Sequence, residues 1–252
     1  MAPPSREYIY GINPVFEVVR GGRRKVYEAY LNQATRQHPR LQKLATFLEQ
    51  RSIPVQLVDK QRLFELSRSK EHQGAVLKVT PYPFLPFETL LGQPRLLLLD
   101  NVEDPTNVGG ILRSAEIFGF HHVCLPTKGT PSIYPSVVKV SAGASEHLQV
   151  CHDKRANYYL KAALEAGYTV VALDGKGKTD LGELTVPATE KLLLVIGGED
   201  KSVGQFILTA AHHVARIPMQ GQVNSLNASV AAGIAMYRLG TPAPDRPEPQ
   251  SV

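Results

Sequence analysis

The chain has 252 residues, of which 43% are hydrophobic and 20% charged, as in a globular protein with one large or two small domains. It has no apolar run near the roughly 20 residues of a membrane helix, and its first residues lack the pattern of a secretion signal. These features favour a cytoplasmic protein without a membrane partner. Cys124 and Cys151 form neither a CxxC pair nor a zinc-ligand cluster, and no metal site is predicted.

The positive charge is concentrated in the first third of the chain. Residues 1–80 carry 14 Lys and Arg against 7 Asp and Glu, whereas residues 81–252 carry 14 against 16. Basic surfaces bind polyanions such as RNA by releasing counterions. A solvated basic face explains the same composition, so both interpretations stay open.

The pattern of residues 1–80 predicts a small basic α/β domain, which its charge makes the candidate for binding an RNA substrate. Its elements are a helix from Asn13-Pro14, a strand at Val26–Leu31, a helix at Pro39–Arg51, a strand at Val55–Val58, a helix capped by Asp59 and a strand at Ala75–Val79. The basic turn after the first helix is either an RNA-backbone contact or simply a charged turn; its cationic residues are Arg20, Arg23, Arg24 and Lys25.

Residues 81–94 are rich in proline and predict a linker whose aromatic residues can pack onto a domain. From residue 95 to 240, unbroken apolar strands alternate with helices, which predicts a parallel α/β sheet covered on both faces. The predicted strands are Leu96–Leu99, His122–Leu125, Val170–Leu173, Leu192–Ile196 and Val214–Ile217, and the predicted helices are Val108–Phe118, Asn157–Ala166, Val203–His212 and Leu226–Leu239. Residues 241–252 have the composition of a disordered tail.

The last predicted helix, Leu226–Leu239, follows a polar loop and carries large apolar residues at helical spacing: Leu226, Val230, Ile234 and Tyr237. Asn224 or Ser225 is the predicted N-cap, which places Ser225 and Asn227 near the free N–H groups of the first turn. Small residues fill the rest of the helix and allow close approach to another backbone. An ordinary capped and buried helix is the plain interpretation of this stretch taken alone.

Three stretches in order resemble the motifs of the SpoU-type RNA ribose 2′-O-methyltransferases of the SPOUT superfamily. The first, NVEDPTNVGGILR, supplies Asn107 and Arg113, and the second, IGGEDKSVG, supplies Gly197-Gly198-Glu199. The third supplies Ile217-Pro218 and Ser225-Leu226-Asn227. The resemblance covers roughly Leu96 to Leu239. The second motif departs from the family pattern Glu-Gly-x-Gly, because Asp200-Lys201-Ser202 follow Glu199 and the next glycine is Gly204.

The resemblance implies an S-adenosylmethionine-dependent enzyme that methylates a ribose of RNA, and it further implies a trefoil knot in the C-terminal part and a homodimer. The small basic domain before the catalytic one resembles the members that act on a guanosine of large-subunit rRNA. A tRNA substrate is the alternative within the class, and a non-catalytic RNA-binding protein on the same fold is the alternative outside it. Mostly parallel α/β architecture after a small α/β RNA-binding domain is the expected fold.

The resemblance implies catalytic roles for Asn107, Arg113, Glu199, Ser225 and Asn227. Arg113 matches the family arginine that is thought to bind phosphate and favour the deprotonated hydroxyl. Each residue also has a plain structural role: Arg113 as a solvated cation, Asn107, Ser225 and Asn227 as caps, and Glu199 as an acid at a helix N-terminus.

Ligands of open α/β sheets bind beyond the carboxyl ends of the strands. This rule predicts a cofactor pocket of largely backbone character, in which glycines allow adenosine to approach. The predicted cofactor-binding residues are Leu173, Asp174, Gly175, Ile196, Gly197, Gly198, Ile217, Pro218, Met219, Gly221 and Leu226.

Overall fold

A computed structural model describes residues 6–199, 201–222 and 225–240, except for the side chain of Arg36. These residues form two compact units. The first unit contains the described residues up to Pro83 together with Ile133–His147, and the second contains Phe84–Ser132 and the described residues from Leu148 onward. Asp200, the N-cap candidate Asn224 and the predicted tail at 241–252 lie outside the described residues.

The described strands are β1 (Glu7–Tyr10), β2 (Val26–Asn32), β3 (Val55–Val58), β4 (Ala75–Val79), β5 (Arg95–Asp100), β6 (His122–Cys124), β7 (Gln149–Cys151), β8 (Thr169–Leu173), β9 (Thr179–Asp180), β10 (Leu192–Gly197) and β11 (His213–Arg216). The α-helices are α1 (Ile12–Gly21), α2 (Pro39–Glu49), α3 (Lys60–Ser67), α4 (Phe87–Leu90), α5 (Pro105–Ile117), α6 (Pro135–Val140), α7 (Ala156–Glu165), α8 (Gln205–Ala210) and α9 (Ala228–Leu239). Two short 3-10 segments span Gln33–Gln37 and Ala144–His147.

The first unit is built on a mixed four-stranded sheet in the order β1-β4-β2-β3. Strand β3 runs parallel to β2, whereas β4 is antiparallel to both β1 and β2. Strand β1 was not predicted. Helix α1 begins after Gly11, two residues before Pro14, which was expected at the first helical position. Asp59 caps α3 as predicted, since its Oδ1 accepts a hydrogen bond from the Arg62 N–H at 2.7 Å.

The second unit is built on a seven-stranded sheet in the order β7-β6-β5-β10-β8-β11-β9, and every neighbouring pair is parallel. Leu96 and Leu98 of β5 belong to an apolar cluster with residues of α4, α7 and α8. On the other face α9 packs against β10 and α5. Both faces are covered, which confirms the predicted parallel α/β architecture; the trefoil knot stays a prediction.

Several boundaries differ from prediction for local reasons. Helix α8 is shorter than predicted, because Gly204 and Ala211 both have extended backbone. In the segment predicted as a linker, Tyr82 is buried in the first unit, and Phe87 and Leu90 of α4 are buried in the second. Among the described residues, no helix has the length and apolar character to cross a membrane.

Candidate active site

A cavity of about 410 Å³ lies at the carboxyl ends of the parallel strands of the second unit. Strands β5, β10 and β8 lie side by side, so that Gly197 is paired with Asp100 and Ile196 with Leu173. The loops that leave these strands therefore meet at one edge of the sheet. The lining residues are Leu173, Asp174, Gly175, Ile196, Gly197, Gly198, Glu199, Ser202, Ile217, Met219, Ser225, Leu226, Asn227, Ala228 and Ala231.

Nine of the eleven residues predicted to bind a cofactor line this cavity, and Pro218 and Gly221 do not. The predicted catalytic residues Glu199, Ser225 and Asn227 also line it. Ser202, Ala228 and Ala231 line it without having been predicted. Ser202 donates a hydrogen bond to Asp174 at 2.5 Å, a link between two loops that no sequence pattern signalled.

The glycines of the second motif are required by close protein packing. A Cβ atom at Gly198 would overlap the carbonyl oxygen of Asn101, and one at Gly197 would overlap the backbone nitrogen of Val203. Packing is therefore a reason for glycine at Gly197 that the sequence did not reveal, and the approach of adenosine to this backbone stays a prediction. At Gly175, by contrast, a Cβ atom would meet open space.

The start of α9 also differs from prediction. Asn227 is the N-cap, and its Oδ1 accepts hydrogen bonds from the N–H groups of Ser229 at 3.0 Å and Val230 at 3.4 Å. Ser225 and Leu226 precede the helix, so Ser225 is neither its cap nor part of its first turn. Asn107 is not a cap either, because Asp104 caps α5 by accepting from the Thr106 N–H at 2.8 Å.

Three polar side chains from the three motifs are hydrogen-bonded to one another; Glu199 and Asn227 line the cavity, and Asn107 does not. The Asn227 amide donates to Glu199 Oε1 at 2.7 Å and to Asn107 Oδ1 at 2.8 Å. The Asn107 amide and the Ala228 N–H both donate to Glu199 Oε1 at 3.3 Å. We call Asn107, Glu199 and Asn227 the polar triad. Its carboxylate holds two asparagines and the amino end of α9 in fixed positions.

Arg113 stands apart from the polar triad. It is exposed on α5, it does not line the cavity, and no hydrogen bond or ion pair connects it to another described residue. Gly110, Arg113, Ser114 and Ile117 occupy one face of α5 by their helical spacing. Within a single chain, the structure therefore does not join Arg113 to the other predicted catalytic residues.

Asp100, at the same edge of the seven-stranded sheet as the cavity, is a polar residue that was not predicted. It is 7% exposed at the end of β5, and its Oδ2 accepts hydrogen bonds from the Gly204 N–H at 2.8 Å and the Asn101 amide at 3.1 Å. Burial raises the pKa of Asp100, an effect that the Gly204 N–H opposes. An acid directly after the apolar run Leu96–Leu99 was the signal that could have found it.

In the basic turn of the first unit, Arg24 has a structural role and not the predicted role of an RNA contact. Its guanidinium is fully buried and ion-paired with Glu7 at 2.6 Å and Glu146 at 2.8 Å, so it is not available to contact RNA. Arg23 donates to the Tyr82 hydroxyl at 3.2 Å, and Arg20 pairs with Glu17 at 2.6 Å. RNA contact by Arg20, Arg23 and Lys25 stays a prediction.

Helices α5 and α9 pack closely and leave an apolar face uncovered. A Cβ atom at Gly110 would lie 2.8 Å from the Ser229 Cβ atom. The large residues expected to be buried are outside: Val230 is 50% exposed, Ile234 40% and Tyr237 74%. Five other residues of α9 are buried instead, namely Ala228, Ala232, Ala235, Met236 and Leu239. The small residues Ser229 and Gly233 face α5 and permit the close helix contact.

The charged and apolar side chains that line the cavity indicate which class of ligand fits it. Its volume lies in the range of about 300–1,000 Å³ typical of small-molecule sites. Leu173, Ile196 and Leu226 provide apolar surface for a flat ring, whereas Asp174 and Glu199 provide negative charge. A cationic ligand with an apolar aromatic part fits this set, and S-adenosylmethionine, with its sulfonium and adenine, has those properties.

Comparisons with known proteins agree on one family. The family described as SpoU rRNA Methylase matches residues 94–237, and the domain described as RNA 2′-O ribose methyltransferase substrate binding matches residues 8–85. The chain is 31% identical over 240 residues to YacO of Bacillus subtilis (strain 168), a protein named as a TrmH-family tRNA/rRNA methyltransferase. That match covers 92% of this chain and 94% of YacO.

Solved structures share the fold. An RNA methyltransferase of the TrmH family from Porphyromonas gingivalis superposes with a TM-score of 0.72 at 25% identity, covering 93% of this chain and 89% of that one. An rRNA methyltransferase from Sinorhizobium meliloti, crystallised with AdoMet bound, superposes with a TM-score of 0.76 at 22% identity and covers 93% and 86%. The likeness extends over both units of the chain.

Proposed function

Since the chain belongs to the SpoU family of RNA methylases, we propose that it transfers the methyl group of S-adenosylmethionine to a ribose 2′-hydroxyl of RNA, with S-adenosylhomocysteine and a proton as the other products. The observation that carries this proposal is the position of the polar triad. Asn107, Glu199 and Asn227 come from three separate motifs, and hydrogen bonds of 2.7–3.3 Å bring them together beside the cavity. S-adenosylmethionine supplies an electrophilic methyl carbon when it is bound.

The chain's own residues have three tasks in this reaction. The cavity walls hold the adenosine, since Ile196, Ile217 and Leu226 line it with apolar side chains. The polar triad fixes the amino end of α9. Its first N–H groups are already taken by Glu199 and Asn227, so the helix acts on the substrate through its dipole, whose positive end favours negative charge. A guanidinium near the 2′-oxygen makes loss of the hydroxyl proton easier, because a cation stabilises the developing oxyanion. We assign this third task to Arg113.

We further propose that two copies of the chain form a homodimer through the uncovered face of α5 and α9. Val230, Ile234 and Tyr237 recur at i, i+4 and i+7 on α9, and they border a groove that Gly110 and Ser114 of α5 also line. An exposed apolar patch of this kind marks a protein interface. Arg113 lies on the same face of α5, so a second copy provides a way to bring its cation to a cavity.

The proposed substrate is a guanosine of large-subunit rRNA, on which the enzyme acts in the cytoplasm. The description of the matching family as rRNA methylases supports rRNA, and the match of residues 8–85 to a substrate-binding domain of RNA 2′-O ribose methyltransferases supports an RNA substrate. The name of YacO keeps tRNA as the alternative. Mapping 2′-O-methyl groups in total RNA, with and without the protein, tests this assignment and identifies the nucleotide.

The reaction is tested with purified protein, labelled S-adenosylmethionine and RNA extracted from cells that lack the protein. Arg113→Ala is expected to lower the turnover by about 100-fold or more while cofactor binding persists, because its cation acts in the transition state. Arg155→Ala, which removes another exposed arginine, is the matched control and keeps wild-type turnover. Transfer by Arg113→Ala at the rate of the control would contradict the assignment.

A further inference from the structure

The first unit carries a groove that none of the motifs described above includes. Two adjoining cavities of about 670 and 370 Å³ share Lys60, Lys70 and His72 in their walls. Arg40 and Gln73 line the larger one and Phe64 the smaller one. We call these six residues the basic groove.

The sheet of the first unit explains why distant residues meet there. Asn32 at the end of β2 is paired with Val58 at the end of β3, so both parallel strands end at the same edge. Strand β4 begins at that edge, because Ala75 is paired with Leu31. The segments 33–41, 59–64 and 70–74 therefore surround one opening, as ligand-binding loops do at strand ends of open sheets.

The lysines of the basic groove form no ion pair within the described part of the chain, and Glu71, between Lys70 and His72, is not among the residues that line either cavity. No acidic side chain is among the described residues that line either cavity. Lys60 and Lys70 are exposed. The nearby acids on α3 are occupied, since Asp59 caps the helix and Glu65 pairs with Arg62 at 3.2 Å. Arg40 donates a hydrogen bond to the neutral amide oxygen of Asn13 at 2.6 Å, and it forms no ion pair within the described part of the chain.

The loop before β4 is fixed by specific bonds. Gln73 and Gly74 have left-handed backbone, with φ of 52° and 82°. The Gly74 N–H donates to His72 Nδ1 at 3.0 Å, and the Ile12 N–H donates to Gln73 Oε1 at 3.2 Å. Burial, together with the charge of Lys60, lowers the pKa of His72. The neutral ring then carries its proton on Nε2, which makes that nitrogen a hydrogen-bond donor.

Phe64 adds an aromatic surface beside the cations. It lies one helical turn after Lys60 on α3, and it is 37% exposed. Exposed aromatic rings next to a positively charged groove are the pattern by which proteins stack unpaired bases while they neutralise the backbone.

We propose that the basic groove binds an unpaired segment of the RNA substrate, with its phosphates at Arg40, Lys60 and Lys70 and a base stacked on Phe64. The identification of the polyanion as RNA rests on the proposed function. The groove lies at one sheet edge of the first unit, and its cations come from the segments that adjoin the ends of three strands. Two lysines without ion pairs, a buried histidine and an aromatic ring in one groove favour an RNA segment, whose bases supply flat rings, over a purely acidic peptide, which has none.

The test is equilibrium binding of the full-length protein to a fluorescent single-stranded RNA of mixed sequence, measured between about 50 and 200 mM salt. Lys60→Gln/Lys70→Gln is expected to weaken binding roughly tenfold at the lower salt and to reduce the slope of log K against log salt by about 1.4, or 0.7 for each lost contact. Phe64→Ala is expected to weaken binding about fivefold without changing the slope, because stacking carries no charge.

Two variants control for net charge and for folding. Arg155→Gln/Lys161→Gln removes the same charge from the second unit, and Lys60→Arg/Lys70→Arg keeps the charge in the groove; both should bind RNA like the wild type. The proposal would be overturned if Lys60→Gln/Lys70→Gln bound RNA with the affinity and salt slope of the wild type. It would also be overturned if Arg155→Gln/Lys161→Gln lost as much RNA affinity as Lys60→Gln/Lys70→Gln. A poly-glutamate peptide that binds the wild type more tightly than the RNA does would overturn it too.

Methyl transfer is measured separately, so that the two proposals can fail independently. A wild-type protein that transfers no methyl group to RNA, but whose RNA affinity depends on Lys60 and Lys70, would refute the proposed function and support the groove. A protein that methylates RNA normally after both lysines are replaced, with unchanged affinity, would refute the groove alone.

Discussion

The guanidinium of Arg24 and the carboxylate of Glu146 form two hydrogen bonds, from Nε at 3.0 Å and from Nη2 at 2.8 Å, although 122 positions separate the residues. Glu7 completes the cluster through Nη1 at 2.6 Å. Arg24 and Glu146 are almost fully buried. Residues 133–147 thus belong to the first unit although their sequence lies within the region that resembles the methyltransferase motifs.

Replacement of Arg24 by methionine is expected to destabilise the first unit by about 3 kcal/mol or more, because two carboxylates would remain buried without a cation. Urea denaturation followed by circular dichroism measures the change. Arg62→Met breaks the exposed pair with Glu65 and should cost less than about 1 kcal/mol. Similar losses of stability in Arg24→Met and Arg62→Met would show that the buried cluster stabilises the protein no more than an exposed ion pair does. By the same reasoning, a truncated chain that begins after residue 80 leaves Glu146 unpaired.

Because of Asp100, the free energy of unfolding is expected to fall as pH rises. Its pKa is raised above the ordinary value of 3.8 by burial, so the folded state binds a proton more tightly than the unfolded state. Its contribution is therefore fully present below pH 3.8 and is lost as pH rises through the raised pKa. Asp100→Asn keeps an oxygen that can accept from Gly204 and removes this dependence.

The melting temperature of wild type and Asp100→Asn, measured from acidic to neutral pH, checks this. The variant is expected to gain stability relative to wild type as pH rises, and to reach a constant difference above the raised pKa. A wild type that gains stability relative to Asp100→Asn as pH rises would mean that the protein stabilises the ionised carboxylate.

Gly198 is expected to tolerate no side chain. Gly198→Ala should cost about 3 kcal/mol or more, because its Cβ atom would overlap the Asn101 carbonyl and the backbone would have to move. Gly175→Ala, at another strand end of the same cavity, should change stability by less than about 0.5 kcal/mol. Thermal unfolding of both variants measures the contrast, and equal stabilities would contradict the packing argument.

Ile234→Glu is expected to convert the proposed homodimer into a monomer, because it places a charge in the middle of the uncovered face of α9. Sedimentation velocity measures the oligomeric state. Phe206→Glu is the matched control, since Phe206 is 54% exposed on α8 and lies outside that face. A monomeric wild type, or a control that dissociates equally, would remove the support for the dimer.

The order of strands and helices after residue 94 could be predicted from the sequence, because unbroken apolar strands require a sheet covered on both sides. Most of the cavity could be located in the same way, since parallel strands end at one edge and loops after Leu173, Ile196 and Arg216 must meet there. The resemblance of three short motifs added the residues of the polar triad. These inferences depend on local pattern and on strand direction, both of which the sequence encodes directly.

Which side chains are buried was decided by the tertiary structure. Val230, Ile234 and Tyr237 have the spacing of a buried stripe, yet they are exposed because α9 uses its small residues to approach α5. Arg24 lies in a basic turn, yet it is buried because Glu146 reaches it from the middle of the chain. Composition and spacing determined the elements of this protein and the edge at which its site lies. Contacts between residues far apart in sequence determined which side chains face that site, since burial and ion pairing depend on neighbours that only the folded chain supplies.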